Sequence, residues 1–345
     1  MREAWPRHTK SRGATLRQVA SSPEPSDDER VGARARRDAQ HASVGLDDVP
    51  GPALSGLSHR SNSVALVISE PTAKIFGDPF FSVALRGIYD ALARRSLLPV
   101  MLAPQSAREL ARTQAYLLEG HFDGVILASL HGDNQLPNRL RDAGIPAVLW
   151  GTPAKGIVVS YVDSNNYQAA QLAVEHLISL GRRKIATISG NLDATGAVDR
   201  QTGYRDALVA AGLKLDPTLE EFAGNLPNRA HMAMERLLLN HPDVDAVFAA
   251  SDLMAAAAIR VLHQARKRIP EDVAVVGFDD SPTARSTRPP LTSVRQPIEE
   301  MGHEAINMLM REMQEPGKAP RHVVLATELV VRESTIGARA AGAAG

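Results

Sequence analysis

The stretch LAVEHLISLGRRKIATIS, residues 172–189, holds the two periodicities that decide the fold. Its first half sets Leu172, Val174, His176, Leu177 and Leu180 at the three- and four-residue spacing of one helix face. Its second half contains KIATIS (184–189), a short apolar run of strand length. A helix feeding a buried strand is half of a βαβ unit.

Outward from this stretch the unit repeats. Apolar runs recur as VALVI (64–68), PVML (99–102), GVILA (124–128), AVLW (147–150), AVFAA (246–250) and VAVVGF (273–278). Helical spacing returns between them, for instance at Val83, Leu85, Ile88, Tyr89 and Leu92. Buried strands alternating with helices build parallel sheets through right-handed crossovers. One set of units spans 63–161 and a second spans 162–289. One more helix, near 297–314, and the extended run HVVLATELVV follow. The late helix and strand predict a return to the first lobe, hence several crossovers and a ligand cleft between lobes that close by hinge motion. The fold class expected is therefore α/β: two doubly wound parallel-sheet lobes joined by a multi-crossover hinge. The expected boundaries are 61–161 plus 293–335 for the first lobe and 162–292 for the second. A largely disordered segment, 1–60, precedes them, and a disordered tail, 336–345, follows.

Composition narrows the classes. At 345 residues the chain is long enough for two or three cores. With 44% apolar and 23% charged residues it reads as globular, and zero net charge announces neither a membrane nor a nucleic-acid partner. It has no cysteine, which removes disulfides and thiolate chemistry. No apolar run approaches the roughly 20 residues that span a bilayer, and MREAWPRHTKSRGATLRQVA lacks the apolar core of a secretory signal. A cytoplasmic location is expected. Residues 21–40, SSPEPSDDERVGARARRDAQ, are polar and of mixed charge, with too little apolar surface to offset the entropy of ordering.

Seven motifs carry a resemblance. They are DPFF (78–81), VDSNN (162–166), VEHLISLGRRKIATISG (174–190), DRQTGYRDAL (199–208), DAVFAASDLMA (245–255), PEDVAVVGFDDSP (270–282) and PPLTSVRQP (289–297). Each alone is weak. In this order and spacing they resemble the sensor half of the LacI/GalR family of bacterial repressors, a relative of the type I periplasmic sugar-binding proteins. The resemblance covers about 62–335.

At the N-terminus, TLRQVA (15–20) is similar to the first helix of that family's helix-turn-helix, which would set Thr15, Leu16, Arg17 and Gln18 at DNA. The recognition helix and the tyrosine-proline approach to the hinge do not follow. Family-like sequence resumes at GLSHRSNS (56–63). A matching start, an unmatched middle and a matching resumption point to a middle translated out of frame or decayed.

A sugar needs hydrogen-bond partners for its hydroxyls and a flat apolar face for its ring. The resemblance assigns Asp78, Phe80 and Phe81 to the ligand, with the phenylalanines against the ring. Asp78 is equally a helix N-cap with Pro79 at the first helical position, and one phenylalanine alone would suffice to pack the helix. Arg200 matches a family arginine whose planar fork grips paired oxygens. Asp279 ends VAVVGF, where a carboxylate accepts from sugar hydroxyls, while Asp280 is expected to cap the next turn. Gln296 contacts ligand from the hinge or makes a plain hinge bond. Ser251 stands where the family commonly has asparagine, so it is a ligand contact or only an N-cap. Asn225 is a polar candidate, beside Leu226 where many relatives carry an aromatic. Trp150 is assigned to the core in preference to the ligand. The eleven histidines show no metal spacing, and His121 and His131 look isolated.

The chain has no G-x-S-x-G elbow, P-loop, H-E-x-x-H or tight dinucleotide fingerprint. GNLDATG (190–196) does not match a phosphate cradle, and adjacent Asp279 and Asp280 are a poor hydrolase pair because neighbouring side chains point apart. No enzyme, cofactor or metal is expected. The resemblance implies a transcription regulator that binds a small sugar-like effector in its cleft, acts as a homodimer and couples effector to operator DNA. The alternatives are a sugar sensor without DNA binding and a transporter-linked sugar-binding protein.

Overall fold

The computed structural model describes residues 61–337. The expected headpiece, with Thr15, Leu16, Arg17 and Gln18, lies outside the described residues. So does most of the expected tail, but not all of it: Ile336 closes a short helix, Glu333–Ile336.

The first lobe is built on strands β1 (Ser63–Ile68), β2 (Leu98–Leu102), β3 (Gly124–Ala128), β4 (Ala147–Trp150), β5 (Ser160–Ser164) and β11 (His322–Leu325). They form one parallel sheet in the order β11-β5-β4-β3-β1-β2. The second lobe holds β6 (Ile185–Ser189), β7 (Glu220–Phe222), β8 (Ala246–Ala249), β9 (Ala274–Asp279), β10 (Thr292–Arg295) and β12 (Glu328–Val330), in the order β12-β10-β9-β8-β6-β7. Among the described residues only β12 runs antiparallel, against β10. The central strands are buried on both faces because helices cover both sides.

The chain crosses between sheets three times, at Ser164–Asn166, Arg295–Ile298 and Leu325–Glu328. The multi-crossover hinge is therefore present, but the boundaries move. Residues 162–164 complete β5 of the first sheet. The second lobe extends through β10 to Arg295. HVVLATELVV is not one strand of the first lobe: its first four residues join β5 and its ELV joins β10. Each half is only three or four residues long, too short for period alone to reveal a change of sheet.

The helices carry the packing. In the first lobe these are α1 (Thr72–Gly77), α2 (Pro79–Ala93), α3 (Ala107–Leu118), α4 (Leu136–Asp142) and the late α10 (Ile298–Gln314). In the second they are α5 (Asn166–Ser179), α6 (Thr195–Ala210), α7 (Pro227–Asn240), α8 (Asp252–Gln264), α9 (Pro282–Ser286) and α11 (Glu333–Ile336). The α2–α10 crossing depends on two glycines. A Cβ on Gly87 would stand 2.3 Å from the Glu299 carbonyl oxygen, and one on Gly302 would stand 2.9 Å from the Ile88 nitrogen. Bare backbone at both positions lets α10, which follows the second crossover, lie flush against the first lobe.

Candidate functional site

The sequence candidates and several further polar groups lie at or beyond the carboxyl ends of the strands, in loops and in the first turns of the helices that follow, where open α/β sheets bind ligands. They line two chambers of about 770 Å³ and about 750 Å³, measured with their open mouths. Phe80, Ser129, Ala194, Gly196 and Arg200 border both chambers, so the two are halves of one cleft.

One half is lined by Glu70, Lys74, Asp78, His131, Asn225, Ser251 and Asp279. Asp279 reaches it through two consecutive left-handed residues, with φ of 106° at Asp279 and 50° at Asp280. Positive φ at non-glycine residues is costly and is retained where the surroundings enforce it. Gln296 Nε2 donates to Asp279 Oδ1 at 2.6 Å, and Ser164 Oγ donates to Gln296 Oε1 at 2.6 Å. No bond to Asp279 Oδ2 exists among the described residues. Burial pushes the Asp279 carboxyl well above the usual carboxylate range, and the Arg200 charge works against that rise.

Arg200 is held from three sides. Its Nε donates to Asn166 Oδ1 at 2.8 Å, one terminal nitrogen donates to the Ala250 carbonyl at 2.6 Å, and the guanidinium lies 3.6 Å from the Phe278 ring centroid. A charge stacked and bonded in this way is aimed before any ligand arrives.

Asp78 fills both roles open to it. Its Oδ1 accepts from Phe80 N at 3.0 Å as the cap of α2, and it also lines the cleft. Burial raises its pKa. The phenylalanines divide the work: Phe81 is 5% exposed in the first-lobe core and borders one chamber, while Phe80 borders both and stands edge-on to Trp150 at 6.4 Å. Trp150 belongs to the core and is also a wall of the second half. Ser251 Oγ accepts from Met254 N as the cap of α8, and the residue borders the cleft. Asn225, at φ 61°, lays its amide against Gly190, where a Cβ would stand 2.5 Å from Oδ1. Leu226 does not border either chamber.

Asp280 turns away from the cleft and makes no helix cap. It pairs with Arg295 Nε at 2.7 Å and with Arg332 at 2.6 Å. The ion pairs replace the expected cap because both arginines sit on chain segments that pack beneath the turn. Asp252, fully buried, accepts from Ser293 Oγ at 2.6 Å and Ser281 N at 2.7 Å, and burial pushes its carboxyl up to about 7. It braces the 279–281 turn from behind.

Several cleft groups escaped the residue-by-residue reading of the sequence, Glu70 and Lys74 among them. Asp163 takes Thr152 Oγ1 and N at 2.8 Å each, and Asn166 orients Arg200; both lie inside VDSNN. Asp193 lies inside GNLDATG. His131 is not isolated: its Nδ1 is 2.8 Å from Asp193 Oδ1 and its Nε2 is 3.4 Å from Glu70 Oε1. The contacts of His131 join residues 61–62 positions apart in sequence, which no local spacing shows. Elsewhere, Asp90, Glu299 and His303 bring ligand-type atoms within 4.8 Å of one another, but Glu299 is ion-paired with Arg86. Among the described residues no helix is long and apolar enough to cross a membrane.

Residues 174–335 match the model of the periplasmic binding protein-like domain. The chain is 43% identical over 310 residues to the HTH-type transcriptional regulator CelR of Thermobifida fusca, covering 89% of this chain and 91% of that protein. Residues 61–345 make up a smaller share than this, so the similarity reaches into the first sixty residues. The ribose operon repressor of Escherichia coli K12 is 30% identical, over 80% of this chain and 83% of its own length. A solved complex of the transcriptional regulator CelR with cellobiose superposes with a TM-score of 0.77 at 42% identity, covering 91% of this chain and 92% of that one.

Proposed function

The chain belongs to the LacI family of transcriptional regulators, and from that premise we propose that its cleft binds a two-ring sugar of the cellobiose kind and couples it to operator DNA. The observation that carries the reading is the divided cleft. Two chambers share Phe80 as an apolar wall and Arg200 as a donor fork, and each adds its own feature, the Asp279 carboxylate in one and the Trp150 wall in the other. A single ring uses one set; a disaccharide uses both. The similar regulator solved with cellobiose supports the same class of effector.

In this reading Asp279 and Asp78 accept from hydroxyls of one ring, with Asn225 and Ser251 beside them. Phe80 and Trp150 give the apolar faces, and Arg200 donates at the junction. Asp163 and Asn166 frame the second chamber: Thr152, Ser164 and Asn166 fill both Asp163 oxygens and Asn166 orients Arg200, so the second ring rests on Arg200 and the Trp150 wall. Buried carboxylates whose charge costs them hydration gain most from hydroxyl donors, which restore the hydrogen bonds lost with water. Gln296 bonds both Asp279 and the first crossover at Ser164. Ligand at Asp279 therefore bears on the hinge directly.

In this reading the protein is a cytoplasmic binding protein rather than an enzyme; its similarity to regulators and the pairing of Asp280 with Arg295 and Arg332 support it. It acts as a homodimer on a palindromic operator, as a helix-turn-helix regulator requires. The test is to measure binding of the full chain to DNA from upstream of its own gene by fluorescence anisotropy at fixed salt, with and without cellobiose. Specific binding that cellobiose shifts supports the reading. Binding no better than to random DNA, with cellobiose still bound, would leave a sensor without an operator.

A further inference from the structure

Among the described residues, hydrogen bonds between the lobes away from the three crossovers all join one pair of loops. The loop after β3 offers His131 and Gly132, and the loop after β6 offers Asn191 and Asp193. Gly132 N donates to the Asp193 carbonyl at 2.9 Å, His131 Nδ1 meets Asp193 Oδ1 at 2.8 Å, and Asn191 Nδ2 is 3.4 Å from His131 Nδ1. Both loops border the cleft. An opening at the hinge would have to break these contacts.

We propose that His131 and Asp193 form a proton-sensitive latch across the cleft, so that lobe closure, and with it effector affinity, strengthens as pH falls. This rests on the reading of the cleft as the effector site. The charged groups facing His131 are Glu70 after β1, Lys74 on α1 and Asp193 from the other lobe; Asn191 is neutral. Lys74 is already paired with Glu70, so two carboxylates and one ammonium surround the imidazole. Protonated, His131 donates to Glu70 within its own lobe and to Asp193 across the gap. Neutral, it has one N–H: with that proton on Nε2 it bonds Glu70, and its bare Nδ1 keeps across the gap only the longer 3.4 Å bond that Asn191 Nδ2 donates, in place of the 2.8 Å bond to Asp193.

The direction of the proton effect follows from these contacts. The bond to Glu70 and then that to Asp193 raise the His131 pKa in the closed form, against burial that lowers it. Opening removes the bond and the charge of Asp193, keeps Glu70 and relieves the share of burial that the second lobe supplies; the second carboxylate, within 2.8 Å of Nδ1 only while the lobes touch, sets the sign proposed, a proton held less tightly in the open form. The latch is therefore at full strength below the pKa of the open form and is lost as pH rises through that of the closed form. Glu70 takes part on the same side: burial pushes its carboxyl up, but bonds from His131 and Lys74 bring it below its ordinary value, so it stays charged throughout.

The absence of cysteine allows a direct test. Arg112→Cys and Lys214→Cys put one label site on an exposed position of each lobe, and energy transfer between labels reads lobe separation without any ligand. In this background the full chain is compared with His131→Gln, which keeps a neutral hydrogen bond, and with Asp193→Asn. Expected is a shorter mean separation at about pH 6 than at about pH 8.5 in the parent, with no pH dependence in either variant. Cellobiose titrations should show affinity about two- to fivefold tighter at the lower pH in the parent than His131→Gln shows, the scale of one half-exposed ion pair. A separation that does not change with pH in the parent, or changes equally in His131→Gln, overturns the latch. If separation follows pH as expected but cellobiose never binds, the latch stands and the sugar reading fails.

Discussion

Gln296 ties the hinge to the cleft: its amide nitrogen is 2.6 Å from Asp279 Oδ1, while its amide oxygen accepts from Ser164 at the first crossover. One planar group thus spans the end of the second lobe's sheet and the end of the first. Replacing it with leucine keeps the bulk and removes both bonds. Gln296→Leu should weaken cellobiose about tenfold and also reduce the shift that saturating cellobiose produces in DNA affinity. Calorimetry gives the first quantity and anisotropy the second. A loss of affinity with the DNA response intact would make Gln296 a ligand contact only.

Asp279→Asn removes the accepting charge from the centre of one chamber. Hydrogen bonds to charged groups contribute about 1.5–3 kcal/mol, so cellobiose affinity should fall about 10- to 100-fold. Because burial already penalises the Asp279 charge, the melting temperature of the free protein should change little. Isothermal titration and calorimetric melting separate the two effects.

The raised pKa of Asp279 also sets a pH limit. If Asp279 accepts from sugar hydroxyls as proposed, those donors favour its charged form, and sugar and proton compete for it. In His131→Gln, where the latch no longer titrates, cellobiose affinity should fall as pH is lowered through the Asp279 pKa and be constant above it. A flat titration in that variant would remove Asp279 from the ligand.

Arg200→Lys keeps a positive charge but not the fork that bonds Asn166 and the Ala250 carbonyl while lying on Phe278. The expected outcome is at least a tenfold loss of cellobiose affinity, with circular dichroism unchanged. Affinity within about twofold of the parent would mean that charge alone suffices there.

Gly87→Ala pushes a methyl group into the backbone of α10, where the contact would be 2.3 Å. Overpacking a tight contact costs about 1–3 kcal/mol, and backbone yields less readily than a side chain. Urea unfolding should show a loss in that range or above it, while Gly120→Ala, at an open surface position of positive φ, should cost less.

Much of this architecture is legible in the chain. Buried parallel strands are continuous apolar runs, so VALVI, GVILA and VAVVGF declare themselves. What escapes are short or polar strands: β5 reads SYVDS, β7 reads EEF and β10 reads TSVR. The exchange at Leu325–Glu328 escapes because neither half is long enough to show a face. In the cleft, Arg200 on α6, Asp279 at the end of β9 and Gln296 at the second crossover are residues that the motifs nominate and the cleft contains. The motifs do not nominate His131 and Asp193, because their meaning comes from a contact between lobes. The ion pairs of Asp280 are hidden for the same reason, since Arg332 lies 52 positions away.

The central claim is that one cleft takes two sugar rings. The most direct measurement is calorimetric titration of the full chain with cellobiose and, separately, with glucose, repeated with Trp150→Ala. The account predicts one cellobiose per chain, bound at least about tenfold tighter than glucose, with Trp150→Ala erasing most of that advantage and leaving glucose nearly unchanged. Glucose or ribose binding as tightly as cellobiose, or a cellobiose advantage indifferent to Trp150, would contradict it.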